Sequence, residues 1–437
     1  MLQQYFKQAW QLIRQNKLFS SIYVIGTALG ISMVMVLAIL NHIKTANIYP
    51  EYNRNKMMYA KTISMAPVDT ARFKYTNSGN LSYKAARLLF MPLETPERIS
   101  VMMSGSNFAS LPNDDNLVNV KSRYVDTAYW EIFNFRFLSG KPFSNADFRS
   151  GLQVVVITES LAKNIFGSSE AVGKYLEYGF KPYRIVGVVK DISYVMEETY
   201  AQIWMPYTCI EDYDKEWSER GGMIGDISRV YLLAHSPSDF ESIRNEVNEN
   251  VHRYNAQATD WKADLMGQPD IQSVAIHRYW SNEGPDMTKI RIQNCLLIFL
   301  LLLVPALNLS GMNSTRMERR LGEMGVRKAF GASRSKLTNQ VLTENLLLTG
   351  LGGLAGLLFS YLILLFTRDW ILDMGRQYSS SLPEGASVDF SATMLFNGKI
   401  FLIILLVCLV MNILSALIPV YRSLRKHITD SLYIKYN

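Results

Sequence analysis

Residues able to do chemistry are sparse in this sequence, and none stands at a spacing that makes a reaction. The stretch Gly167–Lys174 has the outline of a phosphate-cradling loop, in which backbone amides and a lysine hold a nucleotide's phosphates. Five residues separate Gly167 from Gly173 where four are needed, and Tyr175 stands where a Ser or Thr would hold magnesium. The five histidines, His42, His235, His252, His277 and His427, show no paired spacing for zinc, and no Gly-x-Ser-x-Gly nucleophile turn occurs. The acidic run Glu211, Asp212, Asp214 and Glu216 lacks the glycine and closing glutamate of a calcium loop and reads as a solvated loop. The three cysteines, Cys209, Cys295 and Cys408, are an odd number, and two fall in apolar runs where they act as small hydrophobes. No catalytic group, cofactor or metal is assigned to this chain, and a hydrolase is disfavoured.

Hydropathy, rather than a reactive constellation, organises the chain. An apolar run without Lys, Arg, Asp or Glu covers 18–42, enough for one helical crossing of a bilayer core roughly 30 Å thick. Lys7, Arg14 and Lys17 precede it as in a secretory leader, but no small-x-small cleavage site follows before His42, so it is read as retained. Three further spans are expected at 291–312, 341–367 and 398–420. Pro305, Asn308 and Asn313 interrupt the second, which is tolerated where neighbouring helices satisfy the freed polar groups.

The formal charge of +7 is unevenly distributed. Residues 1–17, 313–340 and 421–437 together hold +11, whereas 43–293 and 368–399 together hold −3, and Glu344 supplies the remaining charge. Excess Lys and Arg marks the segments kept in the cytoplasm, so both termini are expected inside and 43–290 outside. The basic balance is thus a topology signal and implies membrane lipid, not nucleic acid, as a partner. Residues 1–17, with Leu2, Tyr5, Phe6, Ala9, Trp10 and Ile13 on one side, suit an amphipathic helix lying in the inner interface. Residues 313–340 become a cytoplasmic coupling loop or helix, 368–397 a short outer loop and 421–437 a cytoplasmic tail. A soluble protein with four core helices is the competing reading, and the segregation of charge disfavours it.

Between the first two spans the apolar runs shorten to strand length, as in Gln153–Ile157, Tyr183–Val189 and Arg229–Ala234. Ser160–Ile165 and Asp239–Tyr254 have helical spacing, the second opening at Ser238 with Glu241 three residues on, a capping-box pattern. The fold class expected is an α-helical membrane protein, with four transmembrane helices arranged one plus three and a large extracytoplasmic mixed α+β domain. Arg229–Tyr254, a strand feeding a helix, points to split β-α-β units within that domain.

Two long stretches carry a family resemblance. Leu138–Ser193, LSGKPFSNADFRSGLQVVVITESLAKNIFGSSEAVGKYLEYGFKPYRIVGVVKDIS, continued by AQIWMPYT at Ala201–Thr208, resembles the periplasmic core domain of MacB-type ABC transporter permeases. Glu318–Leu358, ERRLGEMGVRKAFGASRSKLTNQVLTENLLLTGLGGLAGLL, resembles the cytoplasmic loop and third helix of the FtsX-like permease module. The resemblance implies an inner-membrane, multi-pass permease that dimerises with an identical or related copy. It also implies pairing with a cytoplasmic ABC ATPase and transmission of ATP-driven closure to the periplasmic domain, called mechanotransmission. MacB carries its ATPase fused at the N-terminus; here about 17 residues precede the first span and no phosphate loop occurs. ATP and magnesium are therefore expected on a separate partner subunit.

Within that frame, Met317–Phe330 is the candidate ATPase-coupling helix. Met317, Leu321 and Met324 recur at helical spacing, Glu318, Arg319, Arg320, Glu323, Arg327 and Lys328 supply a polar face, and Phe330 ends the segment. Gly331 can stop that helix and Ser333 can cap the next. Gly26 with Gly30, and Gly352 with Gly356, are small-xxx-small pairs that admit close helix packing. Glu344 is placed near the inner end of the third span, reaching the interface. The function implied is efflux of a peptide or hydrophobic compound, with a periplasmic adaptor and outer-membrane duct as partners. A lipoprotein-releasing permease and an FtsX-type regulator without transport are the alternatives.

Overall fold

The computed structural model describes residues 10–11, 14, 17–69, 75–112, 116–214, 222–278, 284–319, 326, 330, 333–378, 383–385, 388–395 and 397–425. Helix α1 (Lys17–Thr45) leads into β1 (Met57–Ala60), β2 (Thr62–Pro67), β3 (Asn77–Asn80), α2 (Tyr83–Leu89), β4 (Arg98–Ser110) and β5 (Val118–Val125). Next come α3 (Ala128–Ile132), β6 (Phe137–Gly140), α4 (Asn145–Arg149), β7 (Val154–Thr158), α5 (Glu159–Phe166), β8 (Tyr175–Tyr178), β9 (Lys181–Val189) and β10 (Ile203–Pro206). They are followed by β11 (Ile227–Leu233), α6 (Phe240–Gln257), β12 (Trp261–Asp264), β13 (Asp270–Ile271) and α7 (Gln272–Ala275). The chain then enters α8 (Met287–Arg319), α9 (Arg334–Tyr378), the short α10 (Ala392–Leu395) and α11 (Gly398–Arg425). Two compact units result: a helical one from 1–41, 288–368 and 392–437, and a sheet unit from 42–287 and 369–391.

The large sheet runs β13-β1-β11-β4-β5-β10-β7-β9-β6, with β8 pairing β4 and β9. In its first four strands β1 and β4 are both antiparallel to the β11 between them, and β11 and β13 are both antiparallel to β1. Two split β-α-β units therefore interlock, with α2 and α6 in the crossovers, as the strand-then-helix pattern of 229–254 predicts. Met58 and Ala60, Val101 and Met103, and Val230 and Leu232 alternate along their strands and bury one face against Leu89 of α2 and Ile243 and Val247 of α6. Each of the larger side chains among these, Ala60 aside, contributes about 1.5–3 kcal/mol by leaving water. A second core lies under β5, β7, β9 and β10, where α5 crosses between the parallel strands β7 and β9. Thr158 caps α5 by accepting from the Leu161 amide, and Gly167 closes it with φ +68°.

One expectation is corrected, and two helices run past the ends of their expected spans. The capping box before α6 is Ser236 with Asp239, because Pro237 starts the turn two residues early; the Ser238 hydroxyl instead lies 2.5 Å from that of Ser236. The second long helix does not stop at 312 but runs as α8 to Arg319, so Met317, Glu318 and Arg319 continue it without a break. Nor is 368–397 simply a short loop: α9 persists to Tyr378, and Glu384 then returns to the sheet unit. There its amide donates to the Asn119 carbonyl at 2.8 Å, and its carbonyl accepts from Gln202 Nε2 at 2.7 Å. A turn whose backbone finds partners on β5 and beside β10 is held there, which hydropathy alone does not register.

Within the helical unit, two helical segments among the described residues are long and apolar enough to cross a membrane, Ser20–Thr45 and Thr338–Thr367; Gly398–Leu414 is a shorter apolar helix. Large apolar side chains face outward along the helices, including Leu18, Ile22, Ile25, Leu29 and Met33 on α1 and Leu354, Leu358, Leu362, Leu365 and Phe366 on α9. Continuous apolar exposure of this extent is incompatible with water and is what lipid covers.

Candidate functional site

Small residues bring α1 and α9 together in the helical unit. A Cβ at Gly352 would fall 2.8 Å from Thr27 Cβ, and one at Gly356 would fall 2.9 Å from the Ala28 carbonyl oxygen. At Gly353 the obstacle is Leu405 Cδ1 of α11. Gly26 meets nothing within 4 Å, whereas Gly30 is buried and borders a small gap with Thr27, Ile31, Cys408 and Asn412. One turn from this seam a buried polar knot joins three helices. Thr349 Oγ1 donates to the Asn345 carbonyl and accepts from Tyr23 on α1 at 3.3 Å and from Asn412 Nδ2 on α11 at 2.8 Å. Glu344, expected at the interface, is instead 2 % exposed on the same inward stripe as Asn345, Leu348 and Thr349. Helical rotation, which hydropathy leaves open, turns it inward.

The last turn of α1 is built into the sheet unit. Helix ends leave carbonyls without intrahelical donors, and here Arg54 Nη1 donates to the Ile43 and Ala46 carbonyls while Gln272 Nε2 donates to that of Lys44. Arg54, 3 % exposed, is held in turn by Glu51, 0 % exposed, through a 2.7 Å bond from Nε to Oε2, and Glu51 Oε1 accepts from Thr199 at 2.7 Å. Charge-assisted bonds to buried, otherwise stranded carbonyls make this joint stiff. Sequence reasoning missed it; the signal was Glu51 and Arg54 three residues apart just past the apolar run.

Beside that joint the domain is strongly charged. Arg229 Nε reaches both Glu198 carboxylate oxygens at 3.1–3.2 Å, and Tyr231 donates to the same group at 3.0 Å. Burial pushes the Glu198 carboxyl up, but Arg229, Arg123 and the Tyr231 hydroxyl more than offset it, and its pKa lies below the ordinary value. Burial, with Arg123 next in effect, lowers Lys121 to about 8. Its ammonium lies 5.7 Å from the Tyr200 ring centre and 6.0 Å from that of Tyr194.

Of the expected coupling helix, the backbone of Met317, Glu318 and Arg319 forms the end of α8 and Phe330 stands in a turn, 88 % exposed. Arg320, Leu321, Glu323, Met324, Arg327, Lys328 and Gly331 lie outside the described residues, as do Leu2, Tyr5, Phe6, Ala9 and Ile13 of the expected interfacial helix. Ser333 begins α9, accepting from the Lys336 amide at 3.4 Å. Gly167–Lys174 forms the exit of α5 and the approach to β8, with Lys174 Nζ 5.1 Å from the Phe166 ring centre, not a phosphate cradle. In the acidic run Glu211 pairs with Lys181 at 3.1 Å, and among the described residues no group of acidic, His or Cys side chains could hold a metal.

Known proteins match along the same division. A model of the MacB-like periplasmic core domain matches residues 20–250, and one of the FtsX-like permease C-terminal matches 295–428. The ABC transporter permease YknZ of Bacillus subtilis is 24% identical over 54% of this chain and 55% of its own. The macrolide export ATP-binding/permease protein MacB of Neisseria gonorrhoeae is 23% identical over 87% of this chain and 56% of its own. The chain thus spans a little over half the length of these two relatives. A solved extracellular domain of YknZ from Gram-positive bacteria is 17% identical, covering 46% of this chain and 99% of that one, with a TM-score of 0.33. Because the core-domain model alone takes in more than half of its residues and the permease module follows, the chain belongs to the MacB/FtsX-like family of ABC transporter permeases.

Proposed function

We propose that this chain is the transmembrane subunit of a MacB-like exporter, crossing the inner membrane four times through α1, α8, α9 and α11 with both termini in the cytoplasm. A separate ABC ATPase binds the basic segment Met317–Phe330 and holds ATP and magnesium. Its closure draws together two permease copies, identical or related. The clamped last turn of α1 supports this reading: its final carbonyls are fixed by Arg54 and Gln272, all within the sheet unit. The domain's movement then drives efflux of a peptide or hydrophobic compound, with a periplasmic adaptor and outer-membrane duct completing the path.

The test is affinity purification of the tagged protein in mild detergent with ATP hydrolysis assayed, beside a variant carrying Arg319→Glu, Arg320→Glu and Arg327→Glu. Co-purification of an ATPase that the variant loses supports the reading. Recovery of the protein alone, without ATPase activity, overturns it in favour of a regulatory membrane protein.

A further inference from the structure

A polar cavity of about 90 Å³ opens in the sheet unit beside the α1 joint, lined among others by Lys44, Arg54, Lys61, Glu197, Glu198, Arg229, Gln272 and Arg278. That is several times the space one water molecule needs, enough for a tetrahedral oxyanion. Charge there is not balanced. Each of the three arginines already holds a carboxylate: Arg54 that of Glu51, Arg229 that of Glu198, and Arg278 that of Asp270. Two ammonium groups, Lys44 and Lys61, then share the wall with one further carboxylate, Glu197. Among the described residues neither lysine lies within ion-pair distance of an acid.

The backbone is held at both lysines, at Lys44 by the Gln272 bond to its carbonyl and at Lys61 by its amide, which donates to Gln268 Oε1 at 2.7 Å. Burial, followed by the neighbouring Arg229, lowers the Lys61 pKa, with Glu198 and Glu197 opposing. His277 is likewise held low by burial and by Lys44. These shifts agree with a wall carrying surplus positive charge, which a bound anion relieves.

We infer that this cavity is an oxyanion site of phosphate type, in which Lys44 and Lys61 hold the anion against the wall formed with Arg229 and Gln272. Two sources share that chemistry: the head group of an anionic phospholipid, since Lys44 closes the apolar run of α1, and free phosphate. The inference does not depend on the transport reading, because it uses only the geometry of the sheet unit.

The experiment uses the full chain. Retention of phosphatidylglycerol is counted by native mass spectrometry after reconstitution in phosphatidylcholine vesicles containing it. Melting is followed separately in discs of phosphatidylcholine alone, titrated with inorganic phosphate. Lys44→Gln/Lys61→Gln is compared with wild type, with Lys44→Arg/Lys61→Arg, and with Lys262→Gln, an exposed lysine on β12. Loss of two charge-assisted contacts predicts about tenfold weaker binding in the double glutamine variant, restored by arginine and untouched at Lys262. A response to phosphate assigns the free anion, and retention of phosphatidylglycerol without one assigns the lipid. Without either anion, the glutamine variant should melt at or above the wild-type temperature, since it sheds unbalanced charge. Binding equal to wild type, an equal loss in Lys262→Gln, no response by wild type to either anion, or a lowered anion-free melting point overturns the site.

Discussion

Arg54→Met tests whether the α1 joint is the stiff element that the geometry implies. The substitution removes the partner of Glu51, which has no solvent exposure, and two bonds to the Ile43 and Ala46 carbonyls. Taking one member from a buried ion pair costs about 3–5 kcal/mol, because the remaining charge keeps its desolvation penalty. A domain of this size loses about 2–4 °C per kcal/mol, so the sheet unit should melt roughly 10 °C lower. Adding Glu51→Gln removes the stranded charge while its amide oxygen still accepts from Thr199. The double variant should therefore recover most of the loss, leaving about 1–2 kcal/mol for the uncapped carbonyls. Thermal melting of the purified full chain should therefore show the double variant about 2–3 kcal/mol more stable than Arg54→Met, and hydrogen exchange at 43–46 rises in both variants. A loss below about 1 kcal/mol in Arg54→Met, or a double variant no more stable than the single, refutes the reasoning.

Three further outcomes are expected. Gly356→Ala puts a Cβ against the Ala28 carbonyl of α1 and should destabilise the helical unit by about 1–3 kcal/mol, whereas Gly26→Ala, facing open space, should be neutral or stabilise by up to about 1 kcal/mol; thermal melting in detergent separates them. Asp126, half-buried between β5 and α3, has its pKa raised from 3.8 to about 6 by desolvation, despite bonds from the Val101 amide, the Ser100 hydroxyl and the Tyr129 amide. The unfolded chain ionises first, so the Asp126 contribution is complete below about pH 4 and is lost as pH rises through 6. Relative to Asp126→Asn, the wild type should lose about 1–2 kcal/mol over that interval, allowing for partial exposure; melting points that run parallel from pH 4 to 7 contradict this. Gln202→Ala removes the bond to the Glu384 carbonyl, and hydrogen exchange at 383–385 should increase several-fold, for about 1 kcal/mol of lost anchoring.

What the sequence made legible follows from period. Strands β7, β9 and β11 announce themselves by short apolar runs and helices α5 and α6 by 3.6-residue spacing, and a strand leading directly into a helix points to a split β-α-β unit. Period also predicted the glycine pairs, but could not say that Gly352 and Gly356 meet α1 while Gly26 faces open space. Most of the misses have one cause: backbone and packing partners that periodicity does not encode. Arg54 finds the end of α1 through a turn, Glu384 finds Asn119 across 265 positions of chain, and Glu344 faces Asn345's stripe because of which side of α9 the other helices occupy. Local pattern carries none of these. Ser238 failed for the opposite reason, a local one, since Pro237 is better suited than Ser238 to begin the turn and moves the cap upstream to Ser236.

The central claim is that motion of the helices reaches the sheet unit through the clamped end of α1. Phe180, at the exposed β8–β9 hairpin with φ +62°, offers a labelling point far in sequence from that joint. With Cys209, Cys295 and Cys408 replaced, Phe180→Cys would carry an environment-sensitive dye in the complex with the partner ATPase. ATP should change its emission, and two glycines inserted between Thr45 and Ala46 should abolish that change while the ATPase remains bound and active. An ATP-dependent signal that survives the insertion intact would contradict the account.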